Sequence, residues 1–109
     1  MARVLLINPN QIHATGLASS LQRHGYMVSI CTAKRDAINE LNGHPGRFDV
    51  LIIDLSGDRP EEWEALDYIC GLIGTYAYTP RILCLSMVYR GPRMKLKAER
   101  RGARFVYVG

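Results

Sequence analysis

Short apolar runs alternate with segments of helical periodicity along the whole chain. Five runs have the length and composition of buried strands: residues 4–7 (VLLI), 27–31 (MVSIC), 50–53 (VLII), 82–85 (ILCL) and 105–108 (FVYV). Three of them are apolar at almost every position, which is typical of parallel strands that are covered on both faces. The pattern therefore predicts a parallel sheet of five strands.

Four helices are predicted between these strands. The first has an apolar stripe from Ala14 to Leu21 and stops at Gly25. The other three run from Thr32 (as the N-cap) to Gly43, from Pro60 to Gly74 and from Pro92 to Gly102. The third has the clearest apolar stripe, with Trp63 at its start, whereas the fourth has little more than Met94 and Ala98, which predicts loose packing. The order βαβαβαβαβ predicts a three-layer α/β/α sandwich.

Length and composition indicate one domain, residues 1–109, because 48% of the residues are hydrophobic and 22% are charged. The longest apolar runs hold four or five residues, so we expect neither a membrane span nor a signal peptide, and we expect a cytoplasmic protein. No helical pattern follows the fifth strand. The apolar sheet face left there favours dimerisation or docking to the rest of a larger protein.

The three cysteines Cys31, Cys70 and Cys84 are scattered through apolar surroundings, and the chain contains no C-x-x-C motif. A disulfide framework or a zinc site is therefore not expected. We expect buried, reduced thiols.

The net charge of +4 is concentrated in one segment. Residues 90–104 contain seven of the fourteen basic residues and a single acid, Glu99, and the remaining seven basic and nine acidic residues leave −2 elsewhere. The predicted fourth helix is therefore basic, which suits an acidic protein, nucleic acid or an anionic membrane, or is simply a solvated face. The lack of an aromatic stacking motif weighs against nucleic acid.

Polar side chains follow three of the predicted strands. Asn8 follows the first strand, Asp54 ends the third and Ser86 follows the fourth. Because the carboxyl ends of parallel strands meet at one edge, these residues are expected to share a crevice. Asp54 is either a capping or turn-forming residue or a carboxylate nucleophile or metal ligand.

The order and spacing of several stretches resemble the receiver domain of response regulators (CheY-like). The matching stretches are VLLIN, LQRHGYMV, FDVLIIDLS, TPRILCLS and GARFVYV. The resemblance implies a flavodoxin-like fold with strand order 2-1-3-4-5, of which the final helix is missing from this sequence. It also implies that Asp54 is the phosphoacceptor of a two-component phosphorelay and that Ser86 is the hydroxyl residue that senses the phosphoryl group.

The same resemblance implies a Mg²⁺ site formed by an acidic pair after the first strand, by Asp54 and by the backbone carbonyl of Ser56. Magnesium requires hard, mostly anionic oxygen ligands. Asn8 and Pro9 stand at the positions of the acidic pair and provide no anionic ligand. We therefore expect no resident cofactor, and Mg²⁺ only as a weak ligand.

Two further positions depart from the receiver pattern. The lysine of the family at the end of the fifth strand falls at Val108 or Gly109, and Asp58 stands where a proline is usual. Asp58 or Asn10 remains as a substitute metal ligand. These losses favour a pseudo-receiver that acts as a protein-interaction module in signal transduction, not an enzyme, with impaired phosphorylation. The alternative is a working phosphoacceptor at Asp54.

The resemblance also implies that partners dock around the fourth helix. The predicted partner surface consists of Tyr89, Arg90, Arg93, Lys95, Lys97, Arg100, Arg101 and Tyr107. We expect a protein partner or an output domain, acidic in character, with a homodimer as the alternative. Neither nucleic acid nor a membrane is expected as a partner of this domain.

A second resemblance concerns residues 11–16 (QIHATG), which are similar to the D-x-H-x-x-G motif of cobalamin-binding domains, with Gln11 in place of the acid. It implies that His13 is the lower ligand of cobalt. The later strands lack the glycines that would accommodate the tail of the cofactor. An exposed position on the first turn of a helix is the simpler expectation for His13.

Overall fold

The structure, a computed structural model, describes residues 2–76, 79–88 and 91–108. Within these residues, strands and helices alternate strictly. The strands are β1 (Arg3–Ile7), β2 (Met27–Cys31), β3 (Val50–Asp54), β4 (Arg81–Ser86) and β5 (Arg104–Tyr107). The helices are α1 (Gln11–Arg23), α2 (Lys34–Gly43), α3 (Pro60–Ile73) and α4 (Pro92–Arg100).

The five strands form one parallel sheet in the order β2-β1-β3-β4-β5, which confirms the predicted flavodoxin-like topology. Alternate residues of each strand point to opposite faces. Leu5 and Leu51 enter the larger core beneath α2, α3 and α4, whereas Leu6 and Ile52 enter the smaller core beneath α1. Both faces of the central strands are therefore buried, and this explains why their sequences are almost continuously apolar.

Local sequence signals account for most of the helix ends. Pro60 occupies the first turn of α3, and the side chain of Glu62 accepts a hydrogen bond from the backbone N–H of Arg59 at 3.2 Å. The N-cap of α2 is the extended residue Ala33, not Thr32, and no side chain caps that helix. No helix among the residues described is both long enough and apolar enough to span a membrane.

Helix α4 packs more firmly than its thin apolar stripe predicts. Met94 and Ala98 are both completely buried against the larger core. Full burial of a methionine side chain, such as that of Met94, stabilises a fold by roughly 1.5–3 kcal/mol. Contacts between charged residues of α4 and α3, described below, add to this anchoring, so the expectation of loose packing is not confirmed.

All three cysteines are free thiols, and Cys31 and Cys84 are buried. Burial, followed by the charges of Glu40 and Asp36, raises the pKa of Cys31 to about 11. Burial is also the main cause that raises the pKa of Cys84 to about 12. These thiols therefore stay protonated and unreactive in the folded chain at neutral pH.

Candidate functional site

Three polar residues are buried in the described part of the chain, and all three lie at the same edge of the sheet. Asn8 is 2% exposed, Asp54 7% and Ser86 0%. They lie at the carboxyl ends of β1, β3 and β4, which are neighbours in the sheet. Burial of a polar group is costly without hydrogen bonds. The structure thus brings together the three residues that the sequence places at this edge.

The side chain of Asn8 connects the loop after β1 to Asp54. Its Nδ2 donates to Oδ2 of Asp54 at 3.1 Å, and its Oδ1 accepts from the backbone N–H of Asn10 at 2.8 Å. The other carboxylate oxygen of Asp54, Oδ1, accepts from the N–H of Ser56 at 2.8 Å. Each oxygen of the carboxylate is therefore satisfied by an uncharged amide.

The hydroxyl of Ser86 is bound within its own loop. Its Oγ donates to the carbonyl of Val88 at 2.6 Å and accepts from the N–H of the same residue at 3.1 Å. The neighbouring N–H of Met87 donates to Oγ of Ser56 at 2.9 Å, which joins the loops after β3 and β4. The N–H of Val108 donates to the carbonyl of Ser86, so the end of β5 is joined to the same network.

These bonds use the backbone N–H groups that would otherwise face the crevice. Side-chain oxygens accept from the N–H groups of Asn10, Ile12, His13, Ser56, Met87 and Val88. Anion sites at the ends of strands and at helix N-termini are built from free N–H groups of this kind. These six N–H groups are therefore already engaged within the chain.

The crevice is an open cavity of about 540 Å³ that contains Asn8, Asp54 and Ser56 in its lining, together with Arg59 at the start of α3. A larger depression of about 730 Å³ lies at the opposite end of the strands, beside Arg81 and the end of α4. None of the three buried polar residues lines that depression. Of the two, the smaller crevice is therefore the candidate site, because Asn8 and Asp54 line it.

The crevice does not fit a Mg²⁺ ion. Among the described residues, no group of three or more His, Cys, Asp or Glu side chains could hold a metal. The two substitute ligands suggested by the sequence have other partners: Oδ1 of Asn10 accepts from the N–H groups that begin α1, and Asp58 is bound to Trp63 and Arg93. Of the ligands that the sequence suggests, Asp54 is then the one carboxylate left at the strand ends, and Mg²⁺ prefers several hard oxygen ligands.

Asp58 instead connects the loop after β3 to α4. It adopts a left-handed backbone conformation with φ of 47°, which Asp tolerates better than most residues. Its carboxylate accepts from Nε1 of Trp63 at 2.7 Å and from the guanidinium of Arg93. Burial raises the pKa of this carboxyl, but the two hydrogen bonds and the charges of Arg93 and Lys97 outweigh it, so the pKa lies below its usual value.

Part of the predicted partner surface is engaged within the molecule. Nζ of Lys97 lies 4.3 Å from the ring centroid of Trp63, and the guanidinium of Arg101 lies 5.2 Å from it. Arg101 also forms an ion pair with Asp67, as Arg93 does with Asp58. In the sequence, Arg93, Lys97 and Arg101 are spaced four residues apart, and this spacing predicts that they lie on one face of a helix.

The rest of that surface faces solvent where it is described. Lys95, Arg100 and Tyr107 are exposed, whereas Tyr89 and Arg90 lie outside the described residues. His13 is exposed on the first turn of α1, as expected for a surface helix residue, and it borders the crevice. The outward basic charge on α4 is thus smaller than the sequence count indicates.

No family model matches this chain, and no curated protein matches it. Solved structures do. The chain is similar to the chemotaxis protein CheY4 of Vibrio cholerae, with 23% identity and a TM-score of 0.75 over 98% of this chain and 86% of that one. It is also similar to the receiver domain of the histidine kinase CKI1 of Arabidopsis thaliana, with 20% identity and a TM-score of 0.73 over 97% and 80%.

A response regulator of Thermotoga maritima has 15% identity and a TM-score of 0.80 over 98% of this chain and 83% of its own length. Together with the TM-scores, identities of this size show a shared backbone fold. They do not show that the side chains of the site have the same roles. The strand order and the four intervening helices agree with these relatives. The chain has the flavodoxin-like fold of CheY-like receiver domains.

Proposed function

We propose that this chain is a receiver-like regulatory module that acts through protein contacts, that is not an enzyme, and that has impaired Mg²⁺-dependent phosphorylation of Asp54. The observation that carries the proposal is the hydrogen bond from Nδ2 of Asn8 to Asp54. The carboxylate of Asp54 is bound there by the neutral amide of Asn8, whereas phosphotransfer needs a cation and the ligands that hold it.

Phosphoryl transfer to a carboxylate concentrates negative charge, which a metal ion normally neutralises. Asn8 and Pro9 provide no anionic oxygen for a metal, and Val108 provides no positive charge. The amide of Asn8 instead stabilises the unmodified carboxylate. A phosphoryl group on Asp54 would weaken or displace the hydrogen bond to the carboxylate oxygen that carries it.

The comparison with the CKI1 receiver makes the contrast concrete. That domain was crystallised in a complex with Mg²⁺ and BeF₃⁻. At the strand ends of this chain, the same ligands would meet the carboxylate of Asp54 without an acidic pair beside it. They would also meet backbone N–H groups, such as those of Ser56 and Met87, that are already bound to side-chain oxygens. Loss of those internal bonds would oppose binding.

The contact surface that we assign to this module lies on the outer side of α4 and β5. Lys95, Arg100 and Tyr107 are exposed there, and the two basic side chains suit an acidic surface of a protein partner or an output domain. Arg93 and Arg101 are paired with acids of this chain, so they contribute less to such a contact. A partner therefore meets a smaller patch of charge.

The experiment that tests this proposal is incubation of the chain with acetyl phosphate and Mg²⁺, followed by intact-mass measurement. We expect no stoichiometric phosphorylation. The Asp54→Ala variant measures any background on other residues. Labelling of the parent chain that Asp54→Ala abolishes would overturn the proposal and favour the working phosphoacceptor.

A further inference from the structure

The depression of about 730 Å³ lies at the amino ends of β4 and β5, at the opposite end of the strands from the crevice. The register of the sheet explains its position. Arg104, the first residue of β5, pairs with Leu83, so the two preceding residues of β4, Arg81 and Ile82, have no partner in β5. The depression extends from this gap to the ends of α3 and α4.

Most of the lining of the depression is apolar. Ile73, Pro80 and Ile82 are buried, and Val50 and Leu83 are half-buried. A ligand that covers such walls gains free energy, because apolar surface is removed from water. Pockets for small molecules usually have volumes of roughly 300–1,000 Å³ and combine apolar walls with a few polar groups. The size and the walls of the depression therefore suit a small molecule with an apolar body.

The charged side chains in the lining are all arginines, namely Arg81, Arg101 and Arg104. Arg101 is paired with Asp67, which lies outside the lining. Arg81 and Arg104 are exposed, and neither belongs to the ion pairs found within the described residues. Burial, and next the charge of Asp67, raise the pKa of the Cys70 thiol in the lining, so this thiol is neutral at pH 7. The depression therefore presents positive charge to a ligand.

The positions of Arg81 and Arg104 allow both to act on one group. Alternate residues of a strand share a face, so Arg81 lies on the same face of β4 as Leu83, and Arg104 lies beside Leu83. With about 4.8 Å between strands and about 3.3 Å per residue, the Cα atoms of the two arginines are about 8 Å apart. Two long side chains at this spacing can converge on one oxyanion, which guanidinium groups bind through paired hydrogen bonds. The acidic residue before β3, Asp49, binds the N–H of Arg3 with its carboxylate and does not line the depression.

The carbonyl groups that end α4 carry partial negative charge, but they are engaged within the chain. The carbonyl of Lys97 accepts from the guanidinium of Arg101 at 2.9 Å, and that of Ala98 accepts from the N–H of Ala103 at 3.1 Å. The carbonyl of Arg101 accepts from Sγ of Cys70 at 3.8 Å. The end of this helix therefore opposes an anion little.

We propose that the depression binds a small organic anion that has an apolar body and a carboxylate or phosphate head. The head accepts hydrogen bonds from Arg81 and Arg104, and the body fills the gap beside Ile82 and Leu83. Guanidinium groups match the geometry of both kinds of head, so the test includes one ligand of each. The inference goes beyond the proposed function and does not depend on it, because the depression and the crevice have no lining residue in common.

The test is a titration of the isotope-labelled chain with naphthylacetate, followed by the amide resonances in NMR spectra. We expect saturable shifts at Ile82, Leu83 and Arg104, with an affinity in the millimolar range or tighter. Naphthylacetamide keeps the ring without the charge, and acetate keeps the charge without the ring, so each should bind at least about tenfold more weakly. Naphthyl phosphate is the second arm, and the tighter of the two charged ring compounds identifies the head.

Three variants locate the ligand. Arg81→Gln and Arg104→Gln should each weaken the binding of naphthylacetate by about tenfold, since each removes a charge-assisted hydrogen bond. Thr79→Trp, at an exposed position in the lining, places a large ring in the depression and should abolish binding. The matched control is Arg35→Gln on α2, which makes the same charge change at an exposed position and should leave the affinity unchanged.

Equal binding of the neutral amide, or unchanged affinity in both Arg81→Gln and Arg104→Gln, would refute the inference. Shifts that persist in Thr79→Trp, or an equal loss of affinity in Arg35→Gln, would place the ligand elsewhere and reject the depression. Phosphorylation of Asp54 by acetyl phosphate would overturn the proposed function alone, since Asp54 does not line the depression.

Discussion

At the scale of single residues, Asn8 provides one of the two hydrogen bonds that the buried carboxylate of Asp54 accepts. An asparagine has both a donor and an acceptor, so Asn8 binds Asp54 through Nδ2 and the N–H of Asn10 through Oδ1. An aspartate at the same position would lack the donor and would add a second negative charge. Under the proposed function, the choice between amide and acid at residue 8 decides whether the crevice offers a metal two adjacent carboxylates.

The variant Asn8→Asp tests this point. Without Mg²⁺ its free energy of unfolding should fall by about 1–3 kcal/mol, because Asp54 loses a hydrogen bond and gains a like charge. Millimolar Mg²⁺ should restore part of that loss, since two adjacent carboxylates are suitable ligands. Urea unfolding with EDTA and with Mg²⁺ measures both effects. Asn39→Asp, at an exposed site on α2, makes the same charge change and should show neither.

Asp58 provides a pH dependence whose sign follows from its lowered pKa. A carboxyl group whose pKa is lower in the folded chain stabilises the fold above its unfolded pKa of about 3.9, and this stabilisation is lost as the pH falls through the folded value. In Asp58→Asn, which keeps a residue tolerant of positive φ, we expect lower stability at pH 7 and a smaller loss on acidification.

Thermal unfolding between pH 7 and pH 3 measures this difference. Asp36→Asn is the control, because it replaces an exposed carboxyl in the first turn of α2 and removes one negative charge. If Asp58→Asn and the parent chain lose stability in parallel over this range, the ion pair with Arg93 contributes nothing to the pH dependence.

The sequence predicts part of the site and misses another part for a physical reason. Asn8, Asp54 and Ser86 follow neighbouring strands, and the geometry of a parallel sheet brings them together. The pair of Asp58 and Arg93 joins residues 35 positions apart and depends on how α3 and α4 pack. No local pattern determines that distance.

At the scale of elements, contacts between the ring of Trp63 and charged side chains hold α3 and α4 together. The ring of Trp63 meets Lys97 of α4 and Arg101, the C-cap residue of that helix, while its Nε1 donates to Asp58 from the preceding loop. A cation over an indole ring is attracted by the negative face of the ring. The helix with the weakest apolar stripe is thus anchored by its basic residues.

The variant Lys97→Gln is expected to lower the free energy of unfolding by about 0.5–2 kcal/mol through loss of this contact. Trp63 is the only tryptophan in the chain, so its fluorescence reports directly on the interface. Lys95→Gln on the exposed side of the same helix is the matched control and should change stability little. Equal effects of the two substitutions would mean that only net charge matters.

The element bounds show where sequence patterns are sufficient. The limits of the strands are predicted to within about one residue, because apolar runs end where burial ends. The start of α2 is misplaced by one residue, since Thr32 has a suitable side chain but Ala33 occupies the N-cap. The packing of α4 is misjudged because the apolar pattern does not count contacts made by charged side chains.

At the scale of the whole molecule, the sheet and the network at its edge unite all five strands. Backbone bonds pair each strand with its neighbour, and the side chains of Asn8 and Ser56 connect the ends of β1, β3 and β4. Such connections favour cooperative unfolding, in which the inner strands open only when the whole fold opens. Cys84 on β4 is completely buried and reports on that event.

The alkaline limit of stability is therefore set in part by Cys84. Its pKa rises from an ordinary 9.0 to about 12 in the folded chain. Below pH 9 the thiol is protonated in both states and contributes no pH dependence. Above it the unfolded state loses a proton that the folded state keeps, so stability falls by roughly 1.4 kcal/mol per pH unit for such a thiol.

Cys84→Ala should consequently be less stable than the parent chain at pH 8, because a cavity replaces the sulfur, yet its stability should fall less between pH 8 and pH 10.5. Urea unfolding at several pH values measures the two slopes, and titrations of lysine and tyrosine cancel in the comparison. At neutral pH, a thiol reagent should modify Cys84 at the rate of global opening, so the rate should increase with urea as the unfolding equilibrium does. Rapid labelling without urea would show that β4 opens independently, and would contradict a single cooperative unit.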